Sequence, residues 1–417
     1  MPPRAPGHIS GAPFGDIHLK STMDLTTVQS LEAQYLFPTY ARVPLLLERG
    51  KGPYVFASDG KRYLDFITGI GVNALGHAHP RILKVIRDQS KKIIHTSNVY
   101  YNEFQGVLAQ RLTALAGMER AFFTVSGAEA AEGAIKVARS LAQKISPEKI
   151  ELVALENAFH GRTMGALSVT GQTKYRAPFG PLLPGVRFVA ANDLAALAAA
   201  VNVNTCAIIL EPVQGEGGIF ELTPEYLAAA ARLAREVQAT LIIDEIQCGL
   251  GRTGKAFAFQ WTDLVPDIVI TAKPIASGYP LGVIMARGTA ATALTSGTHG
   301  TTFGGGPLAC RIALEVLDIL ETPGMYDRIL ENGALLKAGM IKLARRHKFV
   351  KEVRGKGLML GMELDRPAAP VFNRMVELGL LANVTHDTII RMLPPYIIEP
   401  KHAQKALGIL GKALKVV

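Results

Sequence analysis

The sequence predicts an α/β fold: a mostly parallel central sheet with helices on both faces, plus a smaller α+β domain built from both ends of the chain. Three observations predict it. Between residues 77 and 321 short apolar runs alternate with helical stretches, the order that gives parallel strands joined by helical crossovers. Polar residues follow those runs directly, at the carboxyl ends of the strands, where open α/β sheets bind ligands. From residue 322 the pattern changes to a helix, a further apolar stretch over 350–361, and a last strand and helix.

In chain order, residues 1–25 are expected to form a disordered tail. The first 22 are rich in Pro and Gly and carry no long apolar run of a secretory signal. Residues 26–76 are assigned to the smaller domain. Within them, 26–36 reads as a short helix stopped by Pro38, and 45–64 as a hairpin turning at Ser58-Asp59-Gly60. Residues 77–321 form the large domain. A strand over 121–125 leads to Ser126, which opens a helix over 128–143 with Ala130, Ala134, Val137, Ala138 and Leu141 at helical spacing. Ser126 and Glu129 make an S-x-x-E capping box. Further strands are expected at 152–155, 186–189, 206–210, 241–243 and 268–270, with a helix at 224–238. Residues 322–417 complete the smaller domain.

Composition narrows the function classes. With 417 residues, 48% apolar and 19% charged, the chain can bury a large core. No apolar run reaches the roughly 18 residues needed to span a membrane. The net charge is +10, but no basic block occurs, so it does not read as a nucleic-acid footprint. Anionic substrates and a phosphate-bearing cofactor account for it more simply. Cys206, Cys248 and Cys310 are far apart and make no metal pattern, which fits a reducing cytoplasm.

The chemistry concentrates in residues 240–273. An apolar run ends in Asp244-Glu245, passes Gln247 and Gly249-Leu250-Gly251-Arg252-Thr253-Gly254, and gives way to a second run that ends before Lys273. A carboxylate and an amine on adjacent strand ends suit a pyridine aldehyde cofactor: the amine bonds the aldehyde and the acid keeps the ring nitrogen protonated. The G-x-G-x-x-G spacing also permits a dinucleotide site, but that site needs a helix to open at the glycines, and Lys255-Ala256-Phe257-Ala258-Phe259 gives no helix start.

Asp244-Glu245-Ile246-Gln247-Cys248-Gly249-Leu250-Gly251-Arg252-Thr253-Gly254 resembles the core signature of class III pyridoxal-phosphate aminotransferases. The likeness extends over residues 40–412 and is strongest to acetylornithine aminotransferases. It implies a fold-type I transferase with pyridoxal 5'-phosphate as cofactor. It makes Lys273 the Schiff-base lysine and proton shuttle, Asp244 the partner of the ring nitrogen, and Gln247 the partner of the ring hydroxyl. It places Ser126, Gly127 and Ala128 around the phosphate, Phe159 against the ring, and His160 as a positioned hydrogen-bonding group. Thr302 is expected to reach the partner subunit's phosphate in a homodimer with shared sites. For the substrate, the resemblance implies that Arg139 binds a distal carboxylate and that Arg391, paired with Glu216, binds the carboxylate of glutamate. This sequence departs from the family pattern at Ala131, Pro274 and Gly306.

The expected reaction moves the δ-amino group of N2-acetylornithine to 2-oxoglutarate, giving N-acetylglutamate 5-semialdehyde and glutamate in arginine biosynthesis. Succinylornithine, ornithine, 4-aminobutyrate and carrier-linked lysine stay open as amino donors. An aminomutase or decarboxylase on the same fold, or a non-enzymatic binding protein, are the rival classes. Neither nucleic acid nor membrane is expected as a partner.

Overall fold

The computed structural model describes residues 23–416, so the expectation for the first 22 residues lies outside the described ones. The described chain forms two compact units. The smaller comprises residues 23–49 and 56–62. It holds the helix Leu25–Tyr35, whose first turn is capped by the Asp24 side chain on the Thr27 N–H. It also holds the turn at Ser58-Asp59-Gly60, where Asp59 Oδ1 accepts the Lys61 N–H at 2.8 Å. The expected 45–64 hairpin is instead three strands, Leu47–Lys51, Tyr54–Ala57 and Arg62–Asp65. Gly52-Pro53 interrupts the apolar run, because proline has no N–H for a ladder.

The larger unit, residues 50–55 and 63–416, carries a seven-stranded sheet. Its strands are β1 (Arg120–Thr124), β2 (Glu151–Leu155), β3 (Val186–Val189), β4 (Thr205–Leu210), β5 (Thr240–Asp244), β6 (Ile268–Thr271) and β7 (Gly282–Ala286). Their order across the sheet is β1-β7-β6-β5-β4-β2-β3. Every strand runs the same way except β7, which is antiparallel to both neighbours, β6 and β1. The βα rhythm hid β7. Only the short link 272–281 separates it from β6, too short for the helical crossover a parallel partner needs.

Alternation along the strands divides the core. Val153, Ile208, Ile243, Val269 and Val283 pack on one face; Leu152, Ile209, Ile242, Ile270 and Ile284 pack on the other. Helix α1 (Gly127–Gln143) covers the second face with Ala130, Ala134, Val137 and Ala138. Helices α2 (Pro224–Glu236) and α3 (Pro307–Leu320) cover the first. With both faces covered, β4, β5 and β6 are buried at every residue, which is why their sequences show no period of two.

Beyond α3, Val350–Lys356, Met359–Leu364, Ile389–Met392 and Asn383–Thr385 form a four-stranded antiparallel sheet, with the helices Met325–Ala344 and Pro400–Ala413 following the expected pattern. Leu380 and Leu381 pair in parallel with Leu64 and Asp65, so residues from both ends of the chain share one sheet. Cys206, Cys248 and Cys310 are all buried free thiols. No helix among the described residues is long and apolar enough to cross a membrane.

Candidate active site

The segments that leave β1, β2, β4, β5 and β6 at their carboxyl ends converge on one cavity of about 420 Å³. It is lined by Ser126, Gly127, Ala128, Phe159, His160, Arg162, Glu211, Asp244, Ile246, Gln247 and Lys273, together with Val72 and the 278–281 link into β7. Parallel strands put all their carboxyl ends on one rim, so residues more than a hundred apart in sequence meet here.

Lys273 begins the single-turn 3-10 helix Lys273–Ala276, with Pro274 in its first turn, where a missing N–H costs nothing. Burial lowers the lysine pKa and Arg391 adds to this. Glu216, Asp244 and Glu211 oppose it, but the net shift is downward. A lowered pKa leaves more of the nucleophilic free amine at neutral pH.

Asp244 ends β5 and is 2% exposed. Its Oδ2 lies 2.7 Å from His160 Nδ1, and its Oδ1 accepts the Ile246 N–H at 2.9 Å. Burial alone would lower the His160 pKa, yet the Asp244 contact and the Glu211 charge outweigh it and leave the value raised. Glu211, just past β4, accepts the Phe159 and Gly215 N–H groups. Burial pushes its carboxyl up to about 7, against the pull of His160. His160 therefore acts mainly on Asp244, and Glu211 holds the loop on which Phe159 and His160 sit.

Arg391, in strand Ile389–Met392, is fully buried. Its Nη1 donates to Glu216 Oε1 at 2.6 Å and to Gln247 Oε1 at 2.9 Å, and its Nε donates to Asn383 Oδ1 at 3.0 Å. Its Nη2 has no partner. Glu216 is held mostly ionised: burial raises its pKa, but Arg391 and Lys273 lower it further. The structure thus brings Glu216, Arg391 and Gln247 into one hydrogen-bonded cluster, and Gln247 carries it to the cavity wall.

At the start of α1, Ser126 Oγ accepts the Glu129 N–H at 3.2 Å, while Glu129 reaches back to the Val125 N–H rather than to Ser126. The first N–H groups of a helix have no intrahelical partner, and those of Gly127 and Ala128 open at the cavity. A Cβ on Gly127 would come within 2.7 Å of Ile246 Cδ1, so glycine lets the helix start approach the loop after β5. Phe159 and Ile246 supply the apolar walls.

One residue expected in this chain's own site lies away from it. Arg139 is three turns along α1, about 18 Å from the helix start at 1.5 Å per residue. Its Nη2 donates to the Ile150 and Pro184 carbonyls near the amino ends of the strands, so it cannot reach a ligand at their carboxyl ends. Thr302 is exposed on a loop outside this cavity. The arginine that does line the cavity is Arg162, two residues after His160, to which the sequence reading gives no role. The glycines at 249, 251 and 254 open no helix. A Cβ on Gly249 would meet the Glu245 carbonyl at 2.6 Å, so close backbone packing explains that glycine. Among the described residues no group of three or more His, Cys, Asp or Glu is placed to hold a metal.

Comparison with known proteins agrees with this arrangement. The profile of the family "Aminotransferase class-III" matches residues 36–414. An acetylornithine aminotransferase of Methanocaldococcus jannaschii is 45% identical over 92% of this chain and 96% of its own length. Another, from Caldanaerobacter subterraneus subsp. tengcongensis, is 43% identical over 93% and 98%. Among solved structures, an ornithine aminotransferase of Toxoplasma gondii with PLP at partial occupancy in its active site superposes with a TM-score of 0.91 at 32% identity, covering 94% of this chain and 95% of that one. An acetylornithine aminotransferase from Elizabethkingia anophelis gives 0.84 at 29% identity, over 95% and 100%. A strand-end amine, a buried carboxylate and a helix start around one cavity, on a chain matched almost end to end, lead to one assignment: the protein belongs to the class III aminotransferases.

Proposed function

We propose that the protein moves the δ-amino group of N2-acetylornithine to 2-oxoglutarate, giving N-acetylglutamate 5-semialdehyde and glutamate. The relatives named above support the amino donor. The observation that carries the reading is the Glu216–Arg391 pair, whose arginine is fully buried, joined through Gln247 to the cavity that holds Lys273.

The residues present fit pyridoxal 5'-phosphate, the cofactor of this family. The cavity offers an anion site at the open N–H groups of Gly127 and Ala128. It has apolar walls from Phe159 and Ile246, a buried carboxylate at Asp244, and an amine at Lys273. When bound, the cofactor supplies an aldehyde that bonds amines and a ring that draws electrons from the amine-bearing carbon. Lys273 Nζ would hold it covalently and, once displaced by the substrate amine, take the proton from the substrate carbon. Asp244, fixed by His160 and the Ile246 N–H, would keep a proton on the ring nitrogen.

Glu216 and Arg391 let one site take two kinds of substrate. The δ-amine of acetylornithine has no carboxylate on its own carbon, so Glu216 stays on Arg391 and no charge is stranded. Glutamate and 2-oxoglutarate bring a carboxylate beside the reacting carbon; it displaces Glu216 and takes the Arg391 fork. Arg162, on the cavity wall, is the cation available for the carboxylate of acetylornithine. The two substrates alternate in one site, so the kinetics are ping-pong.

We place the enzyme in the cytoplasm as a homodimer with shared sites. Three free thiols support the compartment. An exposed apolar group, Ile93, Ile94, Val99, Tyr100, Tyr101 and Phe303, supports the dimer. The test is a panel of acetylornithine, succinylornithine, ornithine and 4-aminobutyrate at saturating 2-oxoglutarate. Acetylornithine should rank first by kcat/KM. A best donor that lacks an acylated α-amine removes the substrate assignment, and turnover without any keto acid points to a mutase.

A further inference from the structure

The guanidinium of Arg162 forms no ion pair with a carboxylate among the described residues. What it meets is aromatic: its central carbon lies 3.6 Å from the centroid of the Tyr175 ring and 5.6 Å from that of Phe159. Tyr175 in turn meets Phe159 edge to face, with centroids 6.1 Å apart and planes at 85°. Tyr175 sits on the single-turn helix Thr173–Arg176, in the connection between β2 and β3, and is not part of the cavity lining.

The type of support matters. A carboxylate holding Arg162 would occupy the in-plane N–H fork that must bind an incoming anion. An aromatic face grips the guanidinium through its π-surface and leaves that fork unused. Arg162 is solvent-exposed on its outer side, so without the ring it would sample many rotamers. Lys174, 5.1 Å from the same ring centroid, adds positive potential without occupying the fork.

We propose that Tyr175 is a positioning residue for substrate selection. Its ring holds Arg162 flat so that the free fork of the guanidinium receives the α-carboxylate of the acylated amino donor. This rests on the reading of Arg162 given above. It assigns to Tyr175 a contribution to donor recognition alone. The 2-oxoglutarate half-reaction, which uses Arg391 for the carboxylate beside the reacting carbon, depends on it much less.

The test uses the holoenzyme and follows the two half-reactions separately. The variants are Tyr175→Leu, Tyr175→Phe and Arg162→Met, with Tyr175→Met in reserve if the leucine variant does not fold. N-acetylputrescine, the same donor without its carboxylate, serves as the control substrate. Tyr175→Leu should raise KM for N2-acetylornithine about 5- to 10-fold with kcat within about twofold, as for loss of a ground-state contact. It should leave the N-acetylputrescine and 2-oxoglutarate reactions near wild type. Tyr175→Phe should restore the wild-type KM, since the ring and not the hydroxyl does the holding. Equal losses on N-acetylputrescine and N2-acetylornithine, or a phenylalanine variant as poor as the leucine one, overturn the proposal. If Arg162→Met raises the donor KM while Tyr175→Leu does not, Tyr175 has no such role and the reading of Arg162 stands. If Arg162→Met leaves the donor KM unchanged, both fall together.

Discussion

Glu216 and Arg391 show how burial decides the worth of a charge pair. An exposed pair such as Arg232–Glu236 contributes well under ~1 kcal/mol. Arg391 is fully buried, and removing its acid leaves a charge that water cannot reach. Glu216→Gln should therefore lower the Tm, because a stranded buried charge costs roughly 3 kcal/mol of stability. Saturating glutamate, whose own carboxylate fills the gap, should recover most of that loss and N2-acetylornithine should recover much less; thermal melts with each ligand check this. His160 gives a pH prediction. Its folded pKa is raised above the unfolded value, so its bond to Asp244 stabilises most below about pH 6.5 and is lost as pH climbs through the raised value. The Tm gap between wild type and His160→Gln should be widest near pH 6 and narrow toward pH 9; a gap that widens with pH would contradict the assignment. Much of the site was legible at this scale. Lys273, Asp244, Gln247 and Glu216 follow strands in a recognisable order; the first three line one cavity, and Glu216 stands behind it on Gln247 and Arg391. Arg139 was misread because sequence shows that an arginine lies on a helix that starts at the site, but not how far along that helix it has left the site.

The elements explain why Gly161 stands between His160 and Arg162. The first of these turns inward to Asp244 and the second toward the cavity mouth. The reversal needs φ = +138° at Gly161, a conformation that strains any residue with a Cβ. Space is short as well, since a Cβ there would lie 2.8 Å from Ala128 Cβ and 2.9 Å from Ala166 Cβ. Gly161→Ala should cost about 1–3 kcal/mol. It should also weaken cofactor retention, because Ala128 belongs to the helix start at the cavity; Tm and the dissociation constant of pyridoxal 5'-phosphate check the two effects. The central parallel strands β4, β5 and β6 were readable as apolar runs, and α1 was readable from its period and cap. Strand β7 was not, because nothing local in Val283-Ile284-Met285 tells a reversed strand from a parallel one. Its direction is set by link length and by the two neighbours it must join.

At the level of the whole molecule, the segment 93–101 and the loop at Thr302 share a face. The Asn98 side chain donates to the carbonyls of Thr301 and Gly304, so the two segments are held to each other. Tyr100 and Tyr101 point outward at 72% and 106% exposure, unusual for large rings in a finished surface. If two copies meet here and Thr302 completes the partner's site, inactive variants should rescue each other. Lys273→Ala and Thr302→Glu, refolded together, place both lesions in one site of each mixed dimer and leave its other site intact. Random pairing then restores roughly a quarter of wild-type activity. No rescue in a verified mixed dimer would confine each site to one chain. Sequence could not show this face, because exposed tyrosines and isoleucines look the same in sequence as buried ones.

The three unpaired sulfurs offer a built-in stopwatch for breathing motions. Burial pushes the Cys310 thiol up to about 12 and Cys248 well above its ordinary value, so neither reacts until its surroundings part. Cys248 follows directly on Gln247 at the ligand end of the sheet, whereas Cys206 lies at the opposite end of β4. A disulfide-exchange reagent applied to intact enzyme should therefore time openings region by region. Saturation with vitamin B6 phosphate should slow the Cys248 signal more than that of Cys206.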